Sequence, residues 1–290
     1  HLHAVVGEWQ LLADLSFADY LMWVRRDDGT LVCVAQCRPN TAPTVLITDA
    51  VGTLVAAGDL PLVTAAFTSG TIGRGESDPS LRERGLNVEA VPVRYDDRVV
   101  AVLTHQTALA ERRTSSPLER AYLDCAANLQ HMLTEGTFPN IGDLAMSRSS
   151  PRVGDGFIRL DVDGVVVFAS PNALSAYHRM GLTSELEGHN LVAVTRPLIS
   201  DPFEAQELAE HIRESLTGGA SMRMEVDAGG AAVLFRTMPL VVHGAPAGAA
   251  LLIRDVTEVK RRDRALLSKD ATIREIHHRV KNNLQTVAAL

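Results

Sequence analysis

The sequence predicts an α+β chain in which two antiparallel-sheet domains are followed by a long helix. Three observations predict it. Hairpin turns of the Asp-Gly type separate short apolar runs in both halves, at Asp27-Asp28-Gly29 and at Asp163-Gly164. Helical patterns of ordinary length flank those runs. From Asp255 onward Pro and Gly vanish, and apolar residues recur every seven positions. A length of 290 residues also suits roughly two domains at about 150 residues each. Hydrophobic residues at 46% and charged residues at 22% are globular and not disordered in composition. With 28 basic against 35 acidic residues the net charge is −7, which argues against direct nucleic-acid binding and against a membrane-surface protein. Aromatics at 4% argue against a base-stacking platform.

In order along the chain, Val5, Val6, Trp9, Leu12 and Ala13 mark a helix over 2–15. The runs Tyr20 to Val24 and Leu31 to Val34 form the first hairpin, and Val91 to Tyr95 with Val99 to Leu103 form a second around Asp96-Asp97. A turn-rich middle separates them, from Pro61 through Gly70, Gly73, Gly75 and Pro79. Leu118, Tyr122, Cys125, Leu129 and Met132 then trace an amphipathic helix stopped by Gly136 and Pro139. This arrangement is one α+β domain over 1–138, followed by a Pro-, Ser- and Gly-rich linker over 139–154.

The second domain, 155–258, opens on a hairpin about Asp163-Gly164, then a helix that starts at Ser170-Pro171-Asn172 and closes at Gly181. Strand-like runs Met222 to Val226, Ala231 to Met238 and Ala249 to Arg254 follow, punctuated by Gly229-Gly230 and His243-Gly244. About five short strands are expected, with small helices between the second and third. In the last 36 or so residues Val259, Leu266, Ile273, Val280 and Val287 occupy one heptad position, while Arg262, Lys269, Ile276, Asn283 and Leu290 are a mostly polar companion row. A long helix with a partly polar seam, the dimerising kind, is expected over 259–290. The opening His1 and a closing Leu290 inside an apolar pattern suggest that both ends are cut.

That helix carries the segment EIHHRVKNNLQ, Glu275 to Gln285. It resembles the phosphoacceptor box of HWE-related sensor histidine kinases, the HisKA-type-two branch. The resemblance implies an enzyme as the full-length parent, a protein histidine kinase that moves the γ-phosphoryl group of ATP, with Mg2+, to a histidine and then to an aspartate of a response regulator. The residue types suit that chemistry: a neutral imidazole is nucleophilic near pH 7, and cations and amides help spread the phosphoryl charge. Arg279 and Lys281 supply charge, Asn282 supplies hydrogen bonds, and Glu275 shares a helical face with His278 and can orient its ring. With Ile273 and Ile276 as seam positions, His278 lies almost opposite the seam and His277 roughly 70° from it. An acceptor must be reachable, so His278 is the choice and His277 the alternative. Paired histidines alone would be ordinary solvated residues; heptads before them and RVKNN after them favour the acceptor.

Beside that box the second domain resembles a PAS domain, through RLDVDGVVVFASPNALSAYHRMG and the exit RDVTEVKRRDRAL. Neither His178 nor His211 has the setting of a haem ligand. The first domain resembles the GAF-like domain of the same kinases, a fold able to hold a small molecule such as a cyclic nucleotide; the identity of the sensor ligand stays open. A Gly-rich stretch over 68–85, without Gly-Lys-Ser/Thr, reads as a surface loop or lid. Actinobacterial kinases of this branch resemble those paired with RNA-binding ANTAR regulators. Three cysteines, an odd number, and the lack of an apolar run of 18 or more residues fit a cytoplasmic protein without a membrane span, and the resemblance implies a homodimer. Cys33 and Cys37, if on one strand, share a face roughly 13 Å apart, so joint chelation needs a bulge or turn. They read as two buried small residues or as a redox or metal sensor. No site of standard metal spacing is otherwise evident. A GAF–PAS module driving a different output domain is the competing function, which HHRVKNN opposes. The ATP-binding domain is expected to lie beyond Leu290, leaving this chain inactive alone.

Overall fold

The computed structural model describes residues 1–75, 85–109, 115–139, 150–263, 265–266 and 273. In the first domain α1 (Leu2–Ser16) precedes the hairpin β1 (Asp19–Arg25) and β2 (Leu31–Cys37), then β3 (Leu54–Val55), α2 (Pro61–Ser69) and β4 (Gly73–Arg74). The long hairpin β5 (Leu86–Tyr95) and β6 (Arg98–Ala108) leads to α3 (Pro117–Glu135). The six strands form one sheet in the order β3-β2-β1-β6-β5-β4. A reciprocal cap starts α3: the Ser116 hydroxyl accepts from the Glu119 N–H, and the Glu119 carboxylate accepts from the Ser116 N–H. Left-handed Gly136 ends it.

The turn-rich reading of 61–79 is corrected by α2. Pro61 sits in its first turn and left-handed Gly70 closes it. Only Val63 and Ala66 of this helix are buried, one turn apart. Two positions give too little periodicity to stand out beside three glycines.

In the second domain β7 (Phe157–Leu160) and β8 (Val166–Ala169) precede α4 (Pro171–Met180), α5 (Leu191–Thr195), a 3-10 turn (Arg196–Leu198) and α6 (Pro202–Leu216). Strands β9 (Met222–Ala228), β10 (Ala231–Val242) and β11 (Ala245–Asp255) complete a five-stranded antiparallel sheet, ordered β8-β7-β11-β10-β9. The turns expected from sequence are in place. The Asp161 carboxylate accepts from the N–H groups of Asp163 and Val165, and the Ser170 hydroxyl caps α4.

The two sheets share a helical layer. On one face of the first sheet Tyr20, Met22, Val91, Val93, Ala101 and Leu103 meet α1 and α3. The opposite side of those helices meets the outer face of the second sheet, through Phe157, Met238, Leu240, Ala250 and Leu252 in the same continuous core. Ile158, Leu160, Val233, Phe235, Leu251 and Ile253 face the other way, onto α4 and α6. Burial on both faces explains why AALLI in β11 reads as an unbroken apolar run rather than an alternating one.

Polar contacts cross the same layer. Arg236 of β10 and Glu8 of α1 pair at 2.6 Å, each side chain 14% exposed. The Tyr122 hydroxyl donates to the Val153 carbonyl, and Tyr122 packs edge-on against Phe157 at 5.0 Å. Val153 is buried in this core, so the C-terminal end of the expected linker is docked, whereas residues 140–149 lie outside the described set.

Both tryptophans, Trp9 and Trp23, belong to the first domain. Leu240→Ala, placed in the second domain, is expected to cost about 3 kcal/mol through lost burial and a cavity. Urea unfolding followed by tryptophan fluorescence should shift to lower denaturant as a single transition. An unshifted tryptophan transition would show that the domains unfold independently.

Candidate functional site

The expected phosphoacceptor residues, Glu275, His277, His278, Arg279, Lys281 and Asn282, lie outside the described residues. What the structure does describe is the start of the helix that leaves the second domain after β11. Strand β11 ends at Asp255, and helix resumes at residue 257. One carboxylate oxygen of Asp255 accepts from both the N–H and the hydroxyl of Thr257, at 2.8 and 2.5 Å. The other oxygen pairs with Arg179 in the last turn of α4, at 2.5 Å. Thr257 in turn accepts from the Ala232 N–H, and the Val256 N–H donates to the Ala232 carbonyl. Lys260 pairs with Glu225 of β9. The helix root is therefore fastened to α4, β9 and β10 within six residues, Asp255 to Lys260. Partial burial pushes the Asp255 carboxyl upward, but its hydrogen bonds from Thr257 and the Arg179 charge win, and its pKa lies below the ordinary carboxylate value.

Close packing secures the same corner. A Cβ on Gly229, in the β9–β10 turn, would sit 2.5 Å from the Met180 carbonyl at the end of α4, and Gly229 is also left-handed. Beyond the root, Val259, Leu266 and Ile273 are 49%, 60% and 51% exposed. Their seven-residue spacing leaves an apolar stripe that their own domain does not cover.

In the first domain the face of the sheet away from α1 and α3 carries Leu21, Trp23, Leu31, Cys33, Ala90 and Val102. Helix α2 covers it with Val63 and Ala66, and the β2–β3 connection adds Leu46 and Ala50. Two buried carboxylates hold that connection. Asp14 accepts from the Asn40 N–H at 2.6 Å, and Asp19 accepts from the Val45 N–H and the Thr44 hydroxyl, each at 2.6 Å. The cover over this face is thus α2 and the β2–β3 connection. Of the expected 68–85 lid, residues 73–74 are the edge strand β4, and residues 76–84 lie outside the described set.

The expectation that Cys33 and Cys37 share a face is corrected. Trp23 pairs with Cys33 but Met22 with Ala35, so β2 carries an extra residue, Val34, in a bulge. One added residue reverses the alternation. Cys33 consequently packs with Trp23 and Leu31 under α2, whereas Cys37 packs with Tyr20 and α1 on the other face. The sheet separates the thiols, and among the described residues no three His, Cys, Asp or Glu side chains form a metal-holding group. Burial, then the charges of Asp14 and Asp19, raise the Cys37 pKa to about 12; burial raises that of Cys33, and takes that of Cys125 to about 12.

Sequence reasoning missed the two aspartates of the first domain, which no motif marks. It found the RDVT exit but not Arg179 as its partner, since 76 positions separate Arg179 from Asp255.

Two outcomes follow from this geometry. Because the Asp255 pKa is depressed, its contribution is complete above the ordinary value of about 3.9 and is lost as pH falls through the lower folded value. Asp255→Asn should therefore be about 1 kcal/mol less stable than the parent at pH 6 in urea unfolding, with the gap closing toward pH 3; a gap independent of pH would sink the assignment. For the cysteines, diamide should join no Cys33–Cys37 disulfide in native chain and should do so only in urea, because a disulfide needs Cα atoms within about 7 Å on the same side. Peptide mapping reads the difference, and a native crosslink would contradict the bulge.

Comparison with known proteins places these domains. Residues 1–126 match the family described as histidine kinase PdtaS, GAF domain; residues 151–261 match the PAS fold; residues 275–290 match a family described as histidine kinase. The chain is 79% identical over 293 residues to the sensor histidine kinase PdtaS of Mycolicibacterium smegmatis, and 73% identical over 296 residues to that of Mycobacterium tuberculosis. Both alignments cover 100% of the chain and 59% of the relative, so the chain spans about three-fifths of their length. A solved structure described as the sensor region of a sensor histidine kinase is 68% identical, with a TM-score of 0.80 over 90% of this chain and 92% of that one. The chain belongs to the PdtaS family of sensor histidine kinases.

Proposed function

We propose that this chain is the sensory and phosphoacceptor region of a two-component kinase that phosphorylates itself on His278 and passes the phosphoryl group to a response-regulator aspartate. The observation that carries the reading is a rooted helix start followed in sequence, on one heptad frame, by the acceptor box. Asp255, Thr257 and Arg179 fix the helix start to the second domain, and EIHHRVKNNLQ follows on the same heptad frame. Val259, Leu266 and Ile273, exposed on one stripe, are the seam that a second copy covers in the proposed homodimer. The proposed regulator is of the RNA-binding ANTAR type.

His278 acts as the nucleophile through a neutral ring nitrogen, with Glu275 one turn before it orienting the imidazole. Arg279, Lys281 and Asn282 lower the cost of charge on the moving phosphoryl oxygens. ATP with Mg2+ is the proposed phosphoryl donor of the full-length protein. The signal is a small molecule, such as a cyclic nucleotide, received in the cytoplasm at the α2-covered face of the first domain. Among the described residues no helix is long and apolar enough to cross a membrane.

The shared core offers a route for coupling. A change at the first sheet reaches α1 and α3, these helices contact β10, and β10 holds Thr257 at the helix root. Incubation of the full-length protein with γ-labelled ATP tests the acceptor. His278→Gln should reduce labelling to background while His277→Gln retains it. Labelled His278→Gln together with unlabelled His277→Gln would reverse the choice, and acid-stable label on both would defeat a phosphohistidine altogether.

A further inference from the structure

A groove of about 410 Å³ lies on the outer side of the second domain, where the 3-10 turn after α5 faces the C-terminal half of α6. It is separate from the helix-to-sheet core, whose interior Ile158, Tyr177 and Phe235 fill. Arg196 enters from the turn and Arg213 from α6, while Val192 and Leu216 supply an apolar floor. Asp163, on the β7–β8 turn, and Asn190 complete the rim.

The two guanidinium groups are the informative feature. Among the described residues neither makes a hydrogen bond or an ion pair. Arginines that are more buried are engaged, Arg236 with Glu8 and Arg159 with the carbonyls of Ala247 and Ala249, whereas Arg196 and Arg213 are exposed and both line one groove. Glu210, one turn before Arg213, accepts from Gln206 instead. Asn190 is likewise committed, donating to the Asp163 carbonyl and accepting from the Ala193 N–H. Two unengaged arginines lining one groove from different elements suit an oxyanion, for which guanidinium geometry is fitted. The apolar floor asks for more than an inorganic ion. Asp163 makes the remaining rim acidic, so it disfavours a ligand charged negatively at both ends.

We propose that this groove binds a small organic monoanion, a carboxylate or phosphate head held by Arg196 and Arg213 with a short apolar body over Val192 and Leu216. The site goes beyond the kinase reading and does not rest on it, because binding is read on this chain directly. With a net charge of −7 the protein as a whole repels anions, so saturable uptake reports a local site.

The test titrates the 290-residue chain with valerate and, separately, inorganic phosphate, by calorimetry or by amide chemical shifts. Valerate should bind saturably and more tightly than phosphate. Arg196→Gln and Arg213→Gln should each weaken valerate about 10-fold or more, the usual scale for losing a charge-assisted hydrogen bond. Arg98→Gln removes an exposed, unengaged arginine outside the groove and should change nothing. Absence of saturable valerate binding, survival of binding in both groove variants, or tighter binding of phosphate would each overturn the assignment. Both substitutions lie on exposed positions, so native far-UV dichroism confirms that lost binding is not lost folding.

Discussion

The apolar side chains of α1 and α3 serve two sheets at once, and the placement of everything else follows from that shared burial. Val5, Leu12, Leu15, Cys125, Leu129 and Leu133 are buried in one core that reaches from Leu103 of the first domain to Leu252 of the second. Each such side chain contributes on the order of 1.5–3 kcal/mol when removed from water. The layers run α2, first sheet, α1 with α3, second sheet, then α4 to α6. Association of ordinary neighbouring domains is more polar and more easily parted. Here the joint is built like a domain interior, and the Glu8–Arg236 pair inside it sets register across the layer rather than supplying much net energy.

That constraint also orders the outward surfaces. The helix-bearing face of each sheet is turned either to the shared layer or to its own cover, which leaves the α2 side of the first domain and the outer helices of the second facing away from the shared layer. The helix root lies at the far end of β11, at the strand whose two faces are both buried. A rigid central strand ending in three fastened contacts transmits displacement better than a loop, because packed interiors move between discrete arrangements and do not stretch.

Much of this was legible in the residues. Hairpins announced by Asp-Gly steps and the caps at Ser170 and Gly181 rest on local chemistry, and local chemistry is written in consecutive positions. The histidine kinase match over residues 275–290 was legible as a motif. What escaped had a nonlocal cause. Helix α2 has only two buried positions; the β2 bulge at Val34 is fixed by pairing with β1, and it overturned the inference from even spacing. The Asp255–Arg179 link joins residues distant in sequence. Nor could periodicity show that Leu240 and Leu252 face another domain rather than solvent.

The common core has an evolutionary corollary. Sensor modules are commonly pictured as beads that recombination can exchange at their linkers. A cut at the linker of this chain would pair α1 and α3 with a foreign sheet, stranding Phe157, Met238 and Leu240 in water, a contiguous apolar patch of the kind that drives aggregation. Transplantation would succeed only for both domains together, or for a donor whose helices reproduce the same surface. The pair thus packs as one unit, and a substitution on either side of the shared layer is felt by both sheets.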